Sequence, residues 1–327
     1  MSYIVVKNLN KTFKILQRDS GLKSAFRSLF KRDYKYIYAV NDISFDIEEG
    51  EIVAYIGPNG AGKSTTIKML CGILKPDSGE ISVNGFDPFT ERKKYVESIG
   101  VVFGQKSQLW WDIPAIDSFM LLKDIYKVTD EEFYETLDEL VKLLDLKQIL
   151  NTPVRQLSLG QRMRCEIAAS LLHKPKILFL DEPTIGLDAV SKVQIRKFIK
   201  EVNKKRKVTI ILTSHDMSDI EALTNRIIVI GNGKKLYDGT LNGIKKKFTN
   251  KKKLEIIFDK ISSIPKIPDT RIIIEEKNRI VLNVDTSKVS ISNVVSKYTK
   301  VCEIQDINIL EESIDNIIVK LYEDLKI

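Results

Sequence analysis

A glycine-rich loop with one lysine occupies residues 57–65, between an apolar run and a helix-like segment. It fits the pattern G-x-x-x-x-G-K-[ST] and consists of Gly57, Pro58, Asn59, Gly60, Ala61, Gly62, Lys63, Ser64 and Thr65. Glycines let successive N–H groups face an anion, and Lys63 adds a mobile positive charge. Ser64 would place its hydroxyl on Mg2+. The loop therefore predicts a binding site for nucleotide phosphates.

Two further apolar runs end in polar side chains suited to the same chemistry. Residues 177–180 are followed by Asp181 and Glu182, and residues 208–213 are followed by a segment that contains His215. Ligands collect at the carboxyl ends of strands in open α/β sheets, so we expect these side chains to lie near the glycine loop. Phosphoryl transfer to water needs a held Mg2+ and a group that orients water. Asp181 is the candidate metal ligand, and Glu182 is the candidate general base.

Composition and charge limit the classes of protein that remain. The 327 residues are 43% hydrophobic and carry a net charge of +8. No apolar run is long enough to span a membrane, and the first ten residues lack a signal-peptide pattern, so we expect a cytosolic protein. The lysine clusters near 204–207 and 245–253 could attract a membrane surface or remain solvated. No aromatic residues interleave with them, so nucleic acid is not an expected partner.

Residues 2–240 carry a set of motifs that resembles the ATP-binding cassette family. The set adds to the glycine loop a glutamine at Gln105, the signature 157–161 with Ser158, Gly160 and Gln161, the Asp181–Glu182 pair, Asp188, and His215. The resemblance implies an ATPase with ATP and Mg2+, in which Ser64, Asp181 and Gln105 hold the metal. Glu182, His215 and Gln105 would be catalytic. It also implies a head-to-tail dimer, in which Ser158, Gly160, Gln161 and Asp188 of one chain close over the nucleotide of the other.

The same resemblance predicts an α/β fold of the P-loop cassette type. Its parts would be a mostly parallel core sheet, an antiparallel β subdomain and a helical subdomain at about 106–172. These belong to a nucleotide-binding domain at residues 1–243, and a small α+β accessory domain follows at 254–327. The accessory domain could stabilise the dimer or sense a ligand.

Three departures from the family pattern leave alternatives open. Leu159 replaces the middle glycine of the signature, which should affect rate more than mechanism. One extra residue at 103–105 leaves Gln108 as an alternative to Gln105. Phe13 matches the aromatic that stacks on adenine, but an insert at about 15–38 displaces this segment, so Tyr38 is a second candidate.

The insert indicates what kind of transporter this would be. Residues 22–32 have the apolar spacing of a short basic amphipathic helix, which could lie on a membrane or pack on its own domain. The insert is similar to one in ATPases of polysaccharide exporters. Residues 105–114 and the C-terminal part are more similar to ATPases of ABC-2 exporters, the class that includes drug-resistance pumps.

Both similarities favour an exporter ATPase that lies on the cytoplasmic face of the membrane and works with a separate permease. The alternatives are an importer ATPase and a soluble cassette protein that acts without transport.

Overall fold

The computed structural model describes residues 2–17, 33–104, 106–248, 251–261, 263–310 and 313–324. The chain forms two compact units, Met1–Gly239 and Thr240–Ile327. In chain order, the first unit contains β1 (Ser2–Gln17), β2 (Asp33–Glu48), β3 (Ile52–Ile56), α1 (Lys63–Leu70), β4 (Ser78–Val83), α2 (Arg92–Glu97), β5 (Ile99–Phe103), α3 (Ala115–Tyr126), α4 (Asp130–Leu143), a 3-10 turn (Val154–Gln156), α5 (Leu159–Leu171), β6 (Ile177–Asp181), α6 (Ala189–Arg206), β7 (Thr209–Thr213), α7 (Met217–Leu223), β8 (Arg226–Gly231) and β9 (Lys234–Thr240).

A six-stranded sheet forms the centre of the first unit, in the order β5-β6-β7-β3-β8-β9. The pairs β5–β6, β6–β7, β7–β3 and β3–β8 are parallel. Residues 177–180 of β6 and all five residues of β7 are buried, as continuous apolar runs predict for strands covered on both faces. Because these strands are parallel, their carboxyl ends share one edge of the sheet.

A second sheet is antiparallel, in the order β2-β1-β4. Its first two strands are longer than the sequence predicts, since β1 and β2 pair without interruption from Thr12–Tyr38 to Gln17–Asp33. The insert expected at about residues 15–38 is therefore strand at its two ends. The amphipathic helix predicted at 22–32 lies outside the described residues.

The helical part of the first unit contains α3, α4 and α5. All three lie within the helical subdomain predicted at about 106–172. The Thr129 hydroxyl accepts a hydrogen bond from the N–H of Glu132 and begins α4. At the other end of this part, Ser158 and Gln161 form a reciprocal capping box that begins α5.

The second unit contains α8 (Leu241–Phe248), β10 (Lys251–Ile261), β11 (Thr270–Glu276), β12 (Arg279–Asp285), α9 (Ile291–Tyr298), β13 (Cys302–Leu310) and α10 (Ile314–Asp324). Its sheet is antiparallel, in the order β11-β12-β10-β13. Alternate residues of β10, namely Leu254, Ile256 and Phe258, are buried in its core. This unit is a small α+β fold, as the sequence predicts.

Candidate active site

The glycine loop joins β3 to α1. Gly62 directly precedes α1 and has a φ of 104°, in the left-handed region. A Cβ on Gly62 would lie 2.1 Å from the carbonyl oxygen of Ala39, and one on Gly57 would lie 2.6 Å from that of Ile230. The loop is therefore pressed against β2 and β8, and only glycine fits at these two positions.

Lys63 is the first residue of α1, and its side chain folds back over the loop. Its Nζ donates hydrogen bonds to the carbonyl oxygens of Gly57 at 2.7 Å and Pro58 at 3.1 Å. Burial lowers the pKa of this amine, while the charges of Glu182 and Asp181 act in the opposite direction. The positive charge is thus fixed next to the loop N–H groups, with the two acids of β6 within electrostatic reach.

One cavity of about 240 Å³ brings together three of the predicted site residues, Ser64, Asp181 and Glu182. Its other lining residues are Lys68, Ile73, Phe103, Gly104 and Lys106. A hydroxyl and a carboxylate are hard oxygen ligands, which Mg2+ combines with water and substrate phosphates. Among the described residues, no group of three or more His, Cys, Asp or Glu side chains could hold a metal ion. The donor set thus fits a Mg2+ shared with nucleotide phosphates.

Glu182 meets His215 at the edge of the sheet. Glu182 directly follows β6 and has a φ of 55°, a conformation that costs a non-glycine residue about 1–3 kcal/mol. Its N–H is held by the carbonyl oxygen and the hydroxyl of Thr213, each at 3.1 Å. Its Oε1 lies 2.7 Å from Nε2 of His215. The strained turn and the neighbouring strand together direct the carboxylate and the imidazole to one point.

Asp181 links the ends of three parallel strands. Its Oδ1 accepts a hydrogen bond from the hydroxyl of Thr213 on β7, at 2.6 Å. Its carbonyl oxygen accepts one from the N–H of Gly104, just after β5, at 2.7 Å. A Cβ on Gly104 would lie 2.3 Å from the carbonyl oxygen of Glu182, so this position also requires glycine. The second oxygen of Asp181 is not used by Thr213 and can serve a metal ion.

Asp219 is a residue of this region that the sequence analysis missed. It lies on α7 and is 1% exposed. Its carboxylate accepts hydrogen bonds from the hydroxyls of Thr184 and Ser214 and from Nε of Arg196 on α6. One buried charge thereby joins the loop after Glu182, the segment next to His215 and the helix α6.

The sequence contains one weak signal for this role. Asp219 shares a helical face with Ile220 and Leu223, both of which are buried, and a carboxylate on such a face needs partners.

Gln105 lies outside the described residues. Its neighbours Gly104 and Lys106 both line the cavity. The alternative, Gln108, is engaged elsewhere: its N–H donates to Oε2 of Glu166 and its Nε2 donates to the carbonyl oxygen of the same residue. Gln108 is therefore held on α5, and the metal-ligand role remains a prediction for Gln105.

The signature residues form a second cluster, which does not line the cavity of Ser64 and Glu182. The Asp188 carboxylate begins α6 by accepting hydrogen bonds from the N–H and hydroxyl of Ser191, at 2.9 and 2.7 Å. A Cβ on Gly160 would lie 2.5 Å from the hydroxyl oxygen of Ser191. Ser158 and Gln161 hold each other through the capping box at the start of α5. The signature and the Asp188 loop are thus packed together.

The two candidates for the adenine contact lie on neighbouring strands. Phe13 pairs with Ile37, and Tyr38 pairs with Thr12, so the two rings point to opposite faces of the β1–β2 ribbon. Phe13 is 36% exposed and Tyr38 is 65% exposed. Since they do not share a face of the ribbon, Phe13 and Tyr38 cannot both stack on the same adenine.

Comparisons with known proteins agree with this geometry. A family model described as ABC transporter matches residues 40–185. The ABC transporter ATP-binding protein NatA of Bacillus subtilis is 34% identical over 215 residues, which are 66% of this chain and 87% of NatA. The bacitracin transport ATP-binding protein BcrA of Bacillus licheniformis is 33% identical over 217 residues, or 66% of this chain and 69% of BcrA.

A solved structure also matches. The dimeric post-hydrolysis state of the ATP-binding cassette MJ0796, bound to ADP and Pi, superposes with a TM-score of 0.60 at 27% identity. The match covers 73% of this chain and 98% of MJ0796. Within the part of this chain that the structure describes, no helix has the length and apolar character needed to cross a membrane.

Proposed function

Because this chain belongs to the ABC transporter family of ATP-binding proteins, we propose that it powers export through a separate membrane subunit. The chain is an ATPase, and the observation that carries its chemistry is the cavity shared by Ser64, Asp181 and Glu182. The export direction is supported by the similarity to BcrA, whose name assigns it to bacitracin transport. It is also supported by the exporter-like pattern of residues 105–114.

The site residues have distinct parts in the proposed reaction. Lys63 and the loop N–H groups would bind the phosphates, and Ser64 and Asp181, with Gln105, would hold Mg2+. When bound, the metal ion neutralises charge on the phosphates. Glu182 accepts the proton of the attacking water, and His215, 2.7 Å from Glu182, positions this carboxylate and contacts the terminal phosphate.

The signature supports a head-to-tail dimer as the active form. Gly160 packs against Ser191 at the start of α6, and neither Ser158 nor Gly160 lines the cavity that contains Glu182. A second copy would bring its own signature, with Gln161 and Asp188, to the phosphates bound at the first. MJ0796 forms a dimer with bound ADP and Pi, which supports this arrangement here.

The helical part carries a surface suited to the membrane subunit. Five apolar residues on α3 and the segment before it are between 42% and 61% exposed: Trp110, Trp111, Met120, Leu121 and Ile125. A cluster of exposed aromatic and aliphatic side chains is typical of a surface that a partner covers. We assign this surface to the permease.

The β1–β2 ribbon supports a position at the membrane surface. Ile15, Tyr34, Tyr36 and Ile37 are each between 38% and 55% exposed, and Lys14 lies 3.8 Å from the ring centre of Tyr34. Tyrosine and lysine side chains of this kind are favoured at the boundary between lipid and water. The protein would then be cytoplasmic and peripheral on the inner face of the membrane.

Glu182→Gln tests the assigned chemistry. The variant keeps the size of the side chain but cannot accept a proton, so we expect kcat to fall by about 10²–10⁴-fold. ATP should still bind, and a dimer should accumulate, which light scattering coupled to size exclusion measures. Glu135→Gln is the matched control, since the Glu135 side chain is 75% exposed and pairs with Lys174. Turnover near that of the wild type would show that Glu182 is not the base.

Direction is tested in everted membrane vesicles that contain this chain and the membrane subunit recovered with it. ATP added outside such vesicles reaches the ATPase, so export appears as uptake of a labelled compound into the lumen. The probes are a panel of labelled peptide antibiotics that includes bacitracin, with Glu182→Gln vesicles as the blank. ATP-driven release from preloaded vesicles would instead identify an importer.

Membrane contact is tested with liposomes of phosphatidylglycerol and phosphatidylcholine. Phe26→Glu combined with Phe30→Glu should weaken sedimentation with anionic vesicles and leave ATPase activity in solution unchanged. Phe26 and Phe30 are apolar positions of the amphipathic pattern at residues 22–32. Equal sedimentation of variant and wild type would show that residues 22–32 do not contact the membrane.

A further inference from the structure

Glu166 is a buried carboxylate that the phosphate chemistry does not use. It lies on α5, eight residues after Ser158, and is 3% exposed. Its neighbours on the helix, Cys165 and Ile167, are fully buried. Glutamate is almost never buried in this way unless its oxygens are hydrogen-bonded, so its partners are informative.

Within the described part of the chain, the donors to this carboxylate come from one short segment. The hydroxyl of Ser107 and the N–H of Gln108 donate to it, the Gln108 bond being 3.1 Å long. The N–H of Leu109 donates in turn to the hydroxyl oxygen of Ser107 at 3.1 Å. In addition, Nε2 of Gln108 donates to the carbonyl oxygen of Glu166 at 2.8 Å. Burial raises the pKa of Glu166, and these hydrogen bonds act in the opposite direction. The carboxylate is an anchor for residues 107–109.

The anchored segment begins at the wall of the nucleotide cavity. Phe103, Gly104 and Lys106 line the cavity beside Glu182. The N–H of Gly104 is bound to the carbonyl oxygen of Asp181, and the N–H of Lys106 is bound to that of Phe103. One residue separates Lys106 from Gln108, so their Cα atoms are at most about 7 Å apart. A shift of Lys106 at the cavity wall is therefore transmitted to Gln108, which is hydrogen-bonded to Glu166.

The residues that follow, 111–113, contact α5 and the 3-10 turn that precedes it. The carbonyl oxygen of Trp111 accepts a hydrogen bond from the N–H of Arg155 at 3.0 Å, and that of Ile113 accepts one from Val154 at 3.1 Å. The guanidinium of Arg162, on the first turn of α5, lies 5.5 Å from the Trp111 ring. Trp111 and Ile113 are thus held by the turn that precedes α5, and the Trp111 ring lies beside the first turn of α5 itself.

We infer that Glu166 is a positioning residue for ATP hydrolysis, which couples the cavity wall at Gly104 and Lys106 to the signature at the start of α5. The signature serine lies about 12 Å from Glu166 along the helix axis, so a small rotation of α5 about this anchor moves Ser158. The inference rests on the proposed dimer, in which Ser158 and Gly160 complete the site of the partner. Glu166 itself touches neither nucleotide nor metal.

Glu166→Gln is the first test. Glutamine fills the same space, but its amide group offers one acceptor oxygen where the carboxylate offers two. We expect kcat to fall about tenfold, while the dissociation constant of a fluorescent ATP analogue, measured on the Glu182→Gln background to prevent turnover, changes less than twofold. A purely structural defect would weaken both. Glu135→Gln, an exposed glutamate on the neighbouring helix α4, serves as the control and should change neither.

Tryptophan fluorescence gives a direct signature of the anchored segment. The chain has two tryptophans, Trp110 and Trp111, and both lie just after the anchor. In Glu166→Gln, acrylamide should quench their emission more strongly than in the wild type and in Glu135→Gln. Quenching equal to that of the wild type would show that the carboxylate does not hold this segment.

Ser107→Ala keeps the inference testable if Glu166→Gln does not fold. It removes one donor from the edge of the cluster, and we expect kcat to fall about threefold with ATP affinity retained. In the double variant the two effects should combine to less than their product, because both act through one contact. The inference is wrong if Ser107→Ala has wild-type turnover, or if the two effects multiply. Failure of the proposed function would appear separately, as normal turnover in Glu182→Gln.

Discussion

Asp219→Ala removes the buried charge that joins the loops of Glu182 and His215. The wild-type carboxylate is 1% exposed and accepts hydrogen bonds from Thr184, Ser214 at 2.9 Å, and Nε of Arg196 at 2.6 Å. Alanine leaves two buried hydroxyls and one guanidinium without this acceptor. The variant therefore measures how strongly the catalytic edge depends on a residue that does not contact nucleotide.

The expected loss of stability follows from these contacts. Breaking a buried ion pair by removing one partner costs about 3–5 kcal/mol. Arg196 retains a second acid, because Oδ2 of Asp216 lies 3.7 Å from its Nη2, so we expect about 3 kcal/mol, the lower end of this range. For a unit of this size each kcal/mol lowers Tm by about 2–4 °C, which gives a decrease of about 6–12 °C.

The measurement is thermal unfolding of the full chain, followed by circular dichroism. Asp112→Ala is the control, since Asp112 and Arg155 form an ion pair with side chains that are 74% and 53% exposed. Exposed pairs contribute about 0–1 kcal/mol. Asp219→Asn, which keeps the size and one acceptor, should lie between the two. If Asp219→Ala melts within about 2 °C of Asp112→Ala, the Asp219 network does not stabilise this edge.

Three further predictions address binding and pH. Lys63→Ala should weaken the binding of ATP by about 10- to 100-fold, because a hydrogen bond to a charged group contributes about 1.5–3 kcal/mol; titration with a labelled analogue measures this, and unchanged affinity would contradict it. Of Phe13→Ala and Tyr38→Ala, one should weaken ATP binding about 5- to 100-fold through lost stacking, while tripolyphosphate, which lacks a base, binds both variants equally. Burial lowers the pKa of His173, so below about pH 6.5 the unfolded chain takes up a proton that the folded chain does not. The free energy of unfolding therefore decreases as the pH is lowered, by up to about 1.4 kcal/mol per pH unit. His173→Gln, which can still donate to the carbonyl oxygen of Ile99, should show a flatter dependence in urea titrations from pH 5 to 7.

The parts of the site that are local in sequence were predictable. The glycine loop, the apolar strands β6 and β7 and the acids that follow β6 are short patterns in which neighbours along the chain are neighbours in space. The convergence of Ser64, Asp181 and Glu182 followed from the shared edge of a parallel sheet. This rule uses only the order of strands and helices, and in the structure the three residues line one cavity.

Contacts between distant parts of the chain were not predictable. Glu166 and Asp219 are single acids in helices. The apolar neighbours of Asp219 are only a weak signal of burial, and the sequence does not name the distant partners of either carboxylate. The length of β1 and β2 was missed for a different reason. Residues such as Ile15, Tyr36 and Ile37 place apolar side chains on both faces of the ribbon, so the strand alternation that reveals a half-buried sheet is absent.

Leu159 stands where the signature of the family usually has glycine, and the structure shows how the cluster of the signature and the Asp188 loop accommodates the larger residue. A Cβ on Gly186 would lie 3.0 Å from Cδ2 of Leu159, and Gly186 has a φ of 71°. The leucine side chain therefore occupies space that glycine leaves free in the loop before Asp188. Leucine in the first turn of α5 also favours helix over glycine by about 1 kcal/mol. The signature of this chain thus begins on a firmer helix, packed against its own Asp188 loop, and a partner chain would meet Ser158 and Gly160 as a preformed surface.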